Sequence, residues 1–220
     1  MYLCIVKTKK QVKQIKNRRT KAMKKLMMIA AMMAATVATN AQILDRGDFV
    51  ITPKVGMNIS DISGAKDDVT NKFGIAAGVE GEYRFNDWLG MSAGVMYEQQ
   101  GFRSKATKND VTTEFVNVPV MAKFYIWKGL NAGAGIQTGF LTKAKYEGVD
   151  VKDAINKVDV GFISSVGYDF PFGLSVELRY TEGFTDVVKG ASPYLKPNNR
   201  WETKNKNRTL QMAVGYKIKL

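Results

Sequence analysis

From Phe49 to the C-terminus the sequence alternates apolar and polar residues with a period of two. Leu89, Met91, Ala93, Val95 and Tyr97 share one face, and Gly90, Ser92, Gly94, Met96 and Glu98 share the other. The pattern recurs in eight segments, for example Phe73/Ile75/Ala77/Val79, Val116/Val118/Val120/Ala122/Phe124/Ile126 and Leu210/Met212/Val214/Tyr216/Ile218/Leu220. Period two belongs to strands with one buried face, whereas helices repeat every 3.6 residues. Beyond Ala41 the only helical expectation is a short turn within 151–157.

The connections alternate in length. Asn86-Asp87-Trp88, Trp127-Lys128-Gly129 and Pro171-Phe172-Gly173 are short and carry turn residues. Long polar stretches fall near 61–72, 102–113, 141–157 and 184–208. Eight strands joined short-long-short-long predict an all-β fold: an eight-stranded antiparallel up-and-down barrel over residues 49–220. Short periplasmic turns and long extracellular loops give transmembrane barrels the same asymmetry.

Alternation alone fits a soluble carrier, with its apolar face inward, or a membrane barrel, with that face on lipid. Glycine distinguishes the two. Eleven of the 20 glycines (56, 74, 78, 90, 94, 133, 135, 139, 161, 167 and 215) fall on the polar face, and only Gly81 on the apolar face. A glycine on a water-exposed strand packs nothing, but in a narrow lumen it makes room for larger neighbours. Aromatics form two bands. Phe85, Trp88, Phe124, Tyr125, Trp127, Phe170 and Phe172 lie near the short turns; Phe73, Tyr97, Phe102, Phe140, Tyr146, Tyr180 and Phe184 lie near the long loops. Such bands are expected at the two membrane interfaces.

The polar face also carries Lys54, Arg84, Lys123, Arg179, Lys217 and Lys219 against Glu80, Glu82, Glu98, Asp159, Asp169 and Glu177. Unpaired charges in a confined lumen are costly, so the balanced set predicts mutual pairing and a plugged lumen rather than an open pore.

The formal charge of +13 is concentrated before Ala41, where ten basic and no acidic residues stand. Met23-Lys24-Lys25, the apolar run 26–38 and Thr39-Asn40-Ala41-Gln42 have the order of a secretory signal peptide. Thirteen apolar residues fall short of the roughly 20 of a membrane helix. Cleavage is expected between Ala41 and Gln42, with 42–48 a linker, and 1–22 an extension ahead of a start at Met23. After Ala41 the net charge is +3, which removes the case for a nucleic-acid partner.

With no histidine, Ser-His-Asp and Cys-His catalysis are excluded, and the sole cysteine, Cys4, lies in the leader. Asp61, Asp67, Asp68, Asp150, Asp153 and Asp159 match no calcium-loop spacing. No enzyme, metal or cofactor is expected. Lys105, Lys108 and the basic residues of 196–208 suit lipopolysaccharide phosphates, with outer-membrane lipid the main partner.

The segments 95–102 (VMYEQQGF), 115–124 (FVNVPVMAKF), 133–139 (GAGIQTG), 160–162 (VGF), 173–180 (GLSVELRY) and 207–216 (NRTLQMAVGY) resemble the outer-membrane β-barrel family of Bacteroidetes-type bacteria that includes PorT-like, porin-like proteins. The resemblance implies an outer-membrane location. The leading expectation is a structural or interaction barrel at the cell envelope; the alternatives are an accessory of a protein-secretion system, which the resemblance implies, and a small porin or carrier. Such barrels often end in an aromatic residue; this chain ends Lys219-Leu220, with Tyr216 the nearest outward aromatic.

Overall fold

The computed structural model describes residues 46–63, 69–104, 110–146, 149–187 and 205–220, all within the unit Gln42–Leu220. The extension 1–22, the signal segment 23–41 and the Ala41/Gln42 junction lie outside the described residues, as do Asp67, Asp68, Lys105, Lys108 and 196–204. The strands are β1 (Phe49–Ile62), β2 (Val69–Arg84), β3 (Leu89–Ser104), β4 (Asp110–Trp127), β5 (Leu130–Tyr146), β6 (Val149–Asp150), β7 (Val158–Asp169), β8 (Leu174–Asp186), β9 (Lys206–Tyr216) and β10 (Ile218–Lys219). Each long strand pairs antiparallel with the next, and β9 returns to β1, so the sheet closes. β6 is a two-residue flap on β5, and β10 continues β9 past Lys217 in the same register against β1. The chain is thus a closed barrel of eight antiparallel staves. Closure removes the unpaired edges that an open sheet would expose.

The short connections follow turn chemistry. Lys128 (φ 37°) and Gly129 (φ 96°) are both left-handed, which matches the two-residue hairpins favoured by strand twist. Between β2 and β3 the Asn86 side-chain oxygen accepts from the backbone N–H groups of Trp88 and Leu89 at 3.1 and 2.7 Å, so the side chain substitutes for a backbone turn. These turns and the two ends of the barrel chain lie together at one end; the long loops lie at the other. In the loop after β6, a single 3-10 turn forms at Lys152–Ala154, within the segment expected to turn helically.

The apolar face of every stave points outward. Met57, Ile75, Val79, Val95, Ile136, Val166, Leu178 and Met212 are all exposed, while the polar face is buried in the lumen. On β5 the outward apolar run from Leu130 to Phe140 covers about 25 Å along the barrel axis at about 3.3 Å per residue and the tilt usual for such barrels.

The staves reach further toward the long loops than the alternation predicts: β1 to Ile62, β3 to Ser104, β5 to Tyr146, with β9 beginning at Lys206. The ladder is a backbone property, so outward polar residues such as Glu114 and Lys143 continue it after the apolar pattern stops. At this end a register shift between Glu114 and Phe115 leaves Thr142 and Lys143 both exposed and changes which residues of β5 face inward. The lumen mouth here is apolar: Ile62, Phe102, Val111, Phe115, Leu141 and Ala144 surround Ile155, which the turn-bearing loop inserts with no exposed surface.

Candidate functional site

The chemistry-bearing groups meet inside the barrel, in a layer nearer the short-turn end. Glu80 of β2 takes three cations: Lys54 at 3.0 Å, Lys123 at 2.6 Å and Arg179 at 2.7 Å. Glu177 holds the same three, at 3.1, 3.7 and 2.6 Å. Lys123 also reaches Glu82 at 3.3 Å, and Glu82 meets Lys217 at 3.0 Å. Lys217 ends the chain of contacts on Asp169 at 2.6 Å. Four cations and four carboxylates therefore form one continuous network on β1, β2, β4, β7, β8 and the segment between β9 and β10. All but Asp169 are almost fully buried, and water cannot screen these contacts.

Below this layer, the Tyr125 hydroxyl donates to Glu82, approaches Asp169 at 3.2 Å and accepts from Lys217 at 2.9 Å. The Arg84 guanidinium lies 3.3 Å from the centre of the Tyr125 ring and donates to the Asn86 and Asp87 carbonyls, closing the β2–β3 turn. Arg84 thus reaches the network through an aromatic face rather than a carboxylate.

Three further members of the expected charge set sit apart. Glu98 is buried, accepts from Gln100 at 2.7 Å and makes no ion pair with a described residue. Asp159 accepts from Asn207 at 3.4 Å, near the long-loop end. Lys219 keeps the register of β9, opposite the inward Val50, but stands at the rim of the barrel, where it pairs with Asp48 at 2.6 Å. Lys217 points inward by the same parity as Gln211 and Ala213, and the last three residues are exposed because the wall ends there.

Of the aromatics, Phe85, Trp88, Tyr97, Phe124, Trp127, Phe140 and Tyr180 are exposed on the outer face, and Phe170 is half-buried against Tyr168 and Phe172. Tyr125 and Phe102, expected in the two bands, instead face inward, and Tyr146 packs on the mouth core. Parity carried the signal: Tyr125 is two residues from Lys123, and Phe102 four from Glu98, on the inward face. Among the described residues, no three His, Cys, Asp or Glu side chains are grouped to hold a metal ion.

Register explains how three of the long charged side chains fit. Lys54 stands opposite Gly78 and Gly215, Glu80 opposite Gly94, and Lys123 opposite Gly90 and Gly133. A Cβ at Gly94 would lie 2.6 Å from the Val79 carbonyl oxygen and 3.2 Å from the Glu80 Cβ. Replacing Gly94 with valine is accordingly expected to destabilise the barrel by about 1–3 kcal/mol through overpacking. Urea titration of the refolded variant checks this; an unshifted midpoint would show that the lumen has spare room.

A family model described as "Outer membrane protein beta-barrel domain" matches residues 40–189. No curated protein sequence matches the chain. Solved structures similar to it include Ail, the attachment invasion locus protein of Yersinia pestis, determined with the heparin analogue sucrose octasulfate (16% identity, 79% of this chain and 99% of that one, TM-score 0.45). Neisserial surface protein A is similar at 14% identity over 77% of this chain and 97% of its own, TM-score 0.47. OprG of Pseudomonas aeruginosa is similar at 13% identity over 79% and 97%, TM-score 0.45.

Proposed function

The chain belongs to the outer membrane protein beta-barrel family, and on that premise we propose a non-enzymatic barrel with a plugged lumen and a structural or interaction role at the cell envelope. The observation that carries this reading is the network of four cations and four carboxylates joined across the lumen. Its carboxylates are committed to lysine and arginine, so none is free to act as a general base. The outward apolar belt of about 25 Å fits the height of an outer-membrane hydrocarbon layer. Phe85, Trp88, Phe124, Trp127 and Phe170 would then sit at the periplasmic interface, and Tyr97, Phe140 and Tyr180 at the outer one.

In this orientation the short turns and both ends of the barrel chain face the periplasm, as export by a cleavable signal would require. N-terminal sequencing of the membrane-extracted protein is expected to begin at Gln42; a mature chain that retains 23–41 would remove the export assignment. Outer-membrane lipid is the direct partner, with lipopolysaccharide phosphates suited to the basic loops. A secretion-accessory role rests on the resemblance of residues 49–220 to PorT-like barrels. A role as a small porin or carrier would need the network to open.

Planar-bilayer recording of refolded protein tests the plug. No steady conductance is expected at neutral pH; a large, stable conductance would overturn the reading. Cell fractionation tests the location: the protein should stay with outer membranes and migrate anomalously in gels unless heated, whereas recovery in the soluble periplasmic fraction would contradict it.

A further inference from the structure

Among the described residues, two prolines stand inside staves, Pro53 in β1 and Pro119 in β4, and each coincides with a gap in a ladder. Along the closing seam, Lys54 stands opposite Gly215 and Ile51 opposite Ile218 in one register, but the pairs between them, at Thr52 and Pro53, are missing. Between β3 and β4, Ala93 stands opposite Val120 and Met96 opposite Asn117, again in one register, and the pairs between are missing. On the other flank both prolines sit in unbroken runs, Pro53 opposite Val79 of β2 and Pro119 opposite Gln137 of β5. Proline has no N–H to give to a ladder. The N–H and C=O of one strand residue address the same neighbour, so the missing donor of Pro53 faces β9 and that of Pro119 faces β3.

These two flanks differ before the barrel closes. β4 follows β3 directly in the chain, whereas β9 comes to β1 from the far end of the barrel sequence. Until it does, this flank of β1 is an open edge, and an open edge templates a strand of another chain. The residues beside it suit such pairing: Phe49-Val50-Ile51-Thr52 is an uncharged run of strong strand formers. Pro53 and Lys54 end that run. A proline one place earlier or later would have faced β2 and broken the first hairpin; at 53 it interrupts the closing flank alone. We propose that Pro53 is an edge guard, which denies the open β1 edge to a second copy of this chain and so reserves it for β9 of the same barrel. The other open edge, on β9, has no proline but is flanked by Lys206, Arg208, Lys217 and Lys219, whose like charges oppose pairing with another β9. The finished barrel gives up one ladder bond for a device that acts before closure.

The guard does not depend on the plugged lumen. Its test dilutes urea-unfolded protein into lipid vesicles at rising protein concentration and separates heat-modifiable monomer from sedimenting oligomer. Pro53→Val restores the N–H on the closing flank. Its monomer yield should match the parent at the lowest concentration and fall below it progressively as concentration rises. Pro119→Val restores an N–H on a flank that is never an outer edge, and its yield should follow the parent throughout. Adding Ile51→Pro to Pro53→Val moves the gap along the same flank and should return the yield toward the parent. A Pro53→Val yield that tracks the parent at every concentration would overturn the guard, as would an equal loss in Pro119→Val. Failure of Pro53→Val to fold even at the lowest concentration would assign the proline to the finished wall and also overturn it. If Pro119→Val does not fold, rescue by Ile51→Pro decides, and its absence counts against the guard.

Discussion

Replacing Glu80 with glutamine is expected to destabilise the barrel by about 3–5 kcal/mol, the range seen when one partner of a buried ion pair is removed. Glu80 is the densest node of the network: Lys54, Lys123 and Arg179 all lie within 3.0 Å of it. Without its charge, those three cations must share Glu177 and Glu82. The loss is not the intrinsic worth of three contacts. It is mainly the cost of leaving positive charge buried without compensation. Restoring the balance should therefore recover stability: Glu80→Gln combined with Lys54→Met should regain most of what the single change loses, and the double-mutant cycle should show strong coupling. Urea unfolding in lipid vesicles, followed by the heat-dependent gel shift, measures both. A single variant within about 0.5 kcal/mol of the parent would show that the lumen tolerates unpaired charge by admitting solvent.

Placing arginine at Ile136 is expected to cost about 2–4 kcal/mol if the outward face meets lipid. Ile136 is 57 % exposed, midway along β5, with Val120 and Phe162 as its register neighbours on the same outer surface. The penalty should fall with depth. Phe172→Arg, in the short turn between β7 and β8, should cost about 0–1 kcal/mol because its charge can reach headgroups and water. This gradient separates lipid from water as the outer solvent. On a water-facing surface, Ile136→Arg would be neutral or would improve solubility, and no dependence on depth would follow. Equal effects at the two positions would remove the membrane assignment.

Much of the barrel is legible in local order. A strand sends alternate residues to opposite faces whatever its neighbours are. The inward placement of Lys54, Glu80, Glu82, Lys123, Glu177 and Arg179 therefore follows from their alternation with the outward apolar residues of the same strands. The same rule would have turned Tyr125 and Phe102 inward; grouping them with the outer aromatics by nearness to a turn overlooked it. Lys219 keeps its parity in the fold, opposite Val50, but meets Asp48 at the rim instead of the lumen network. That is an effect of where the barrel wall ends rather than of residue type.

Strand identity, facing, stave count and the alternation of short and long connections were thus set by the sequence alone, because each depends on residues only a few positions apart. Only the tertiary structure decided which charges meet. Lys54 and Glu177 are 123 positions apart, and Glu80 and Arg179 are 99 apart. Their contact depends on register summed over several strand pairs and on closure of β9 against β1. The same holds for Ile155, a loop residue outside any alternating run, whose burial at the mouth exists only once residues of β1, β3, β4 and β5 are brought together there. A period of two determines which way a side chain points; closure of the sheet determines what it finds there.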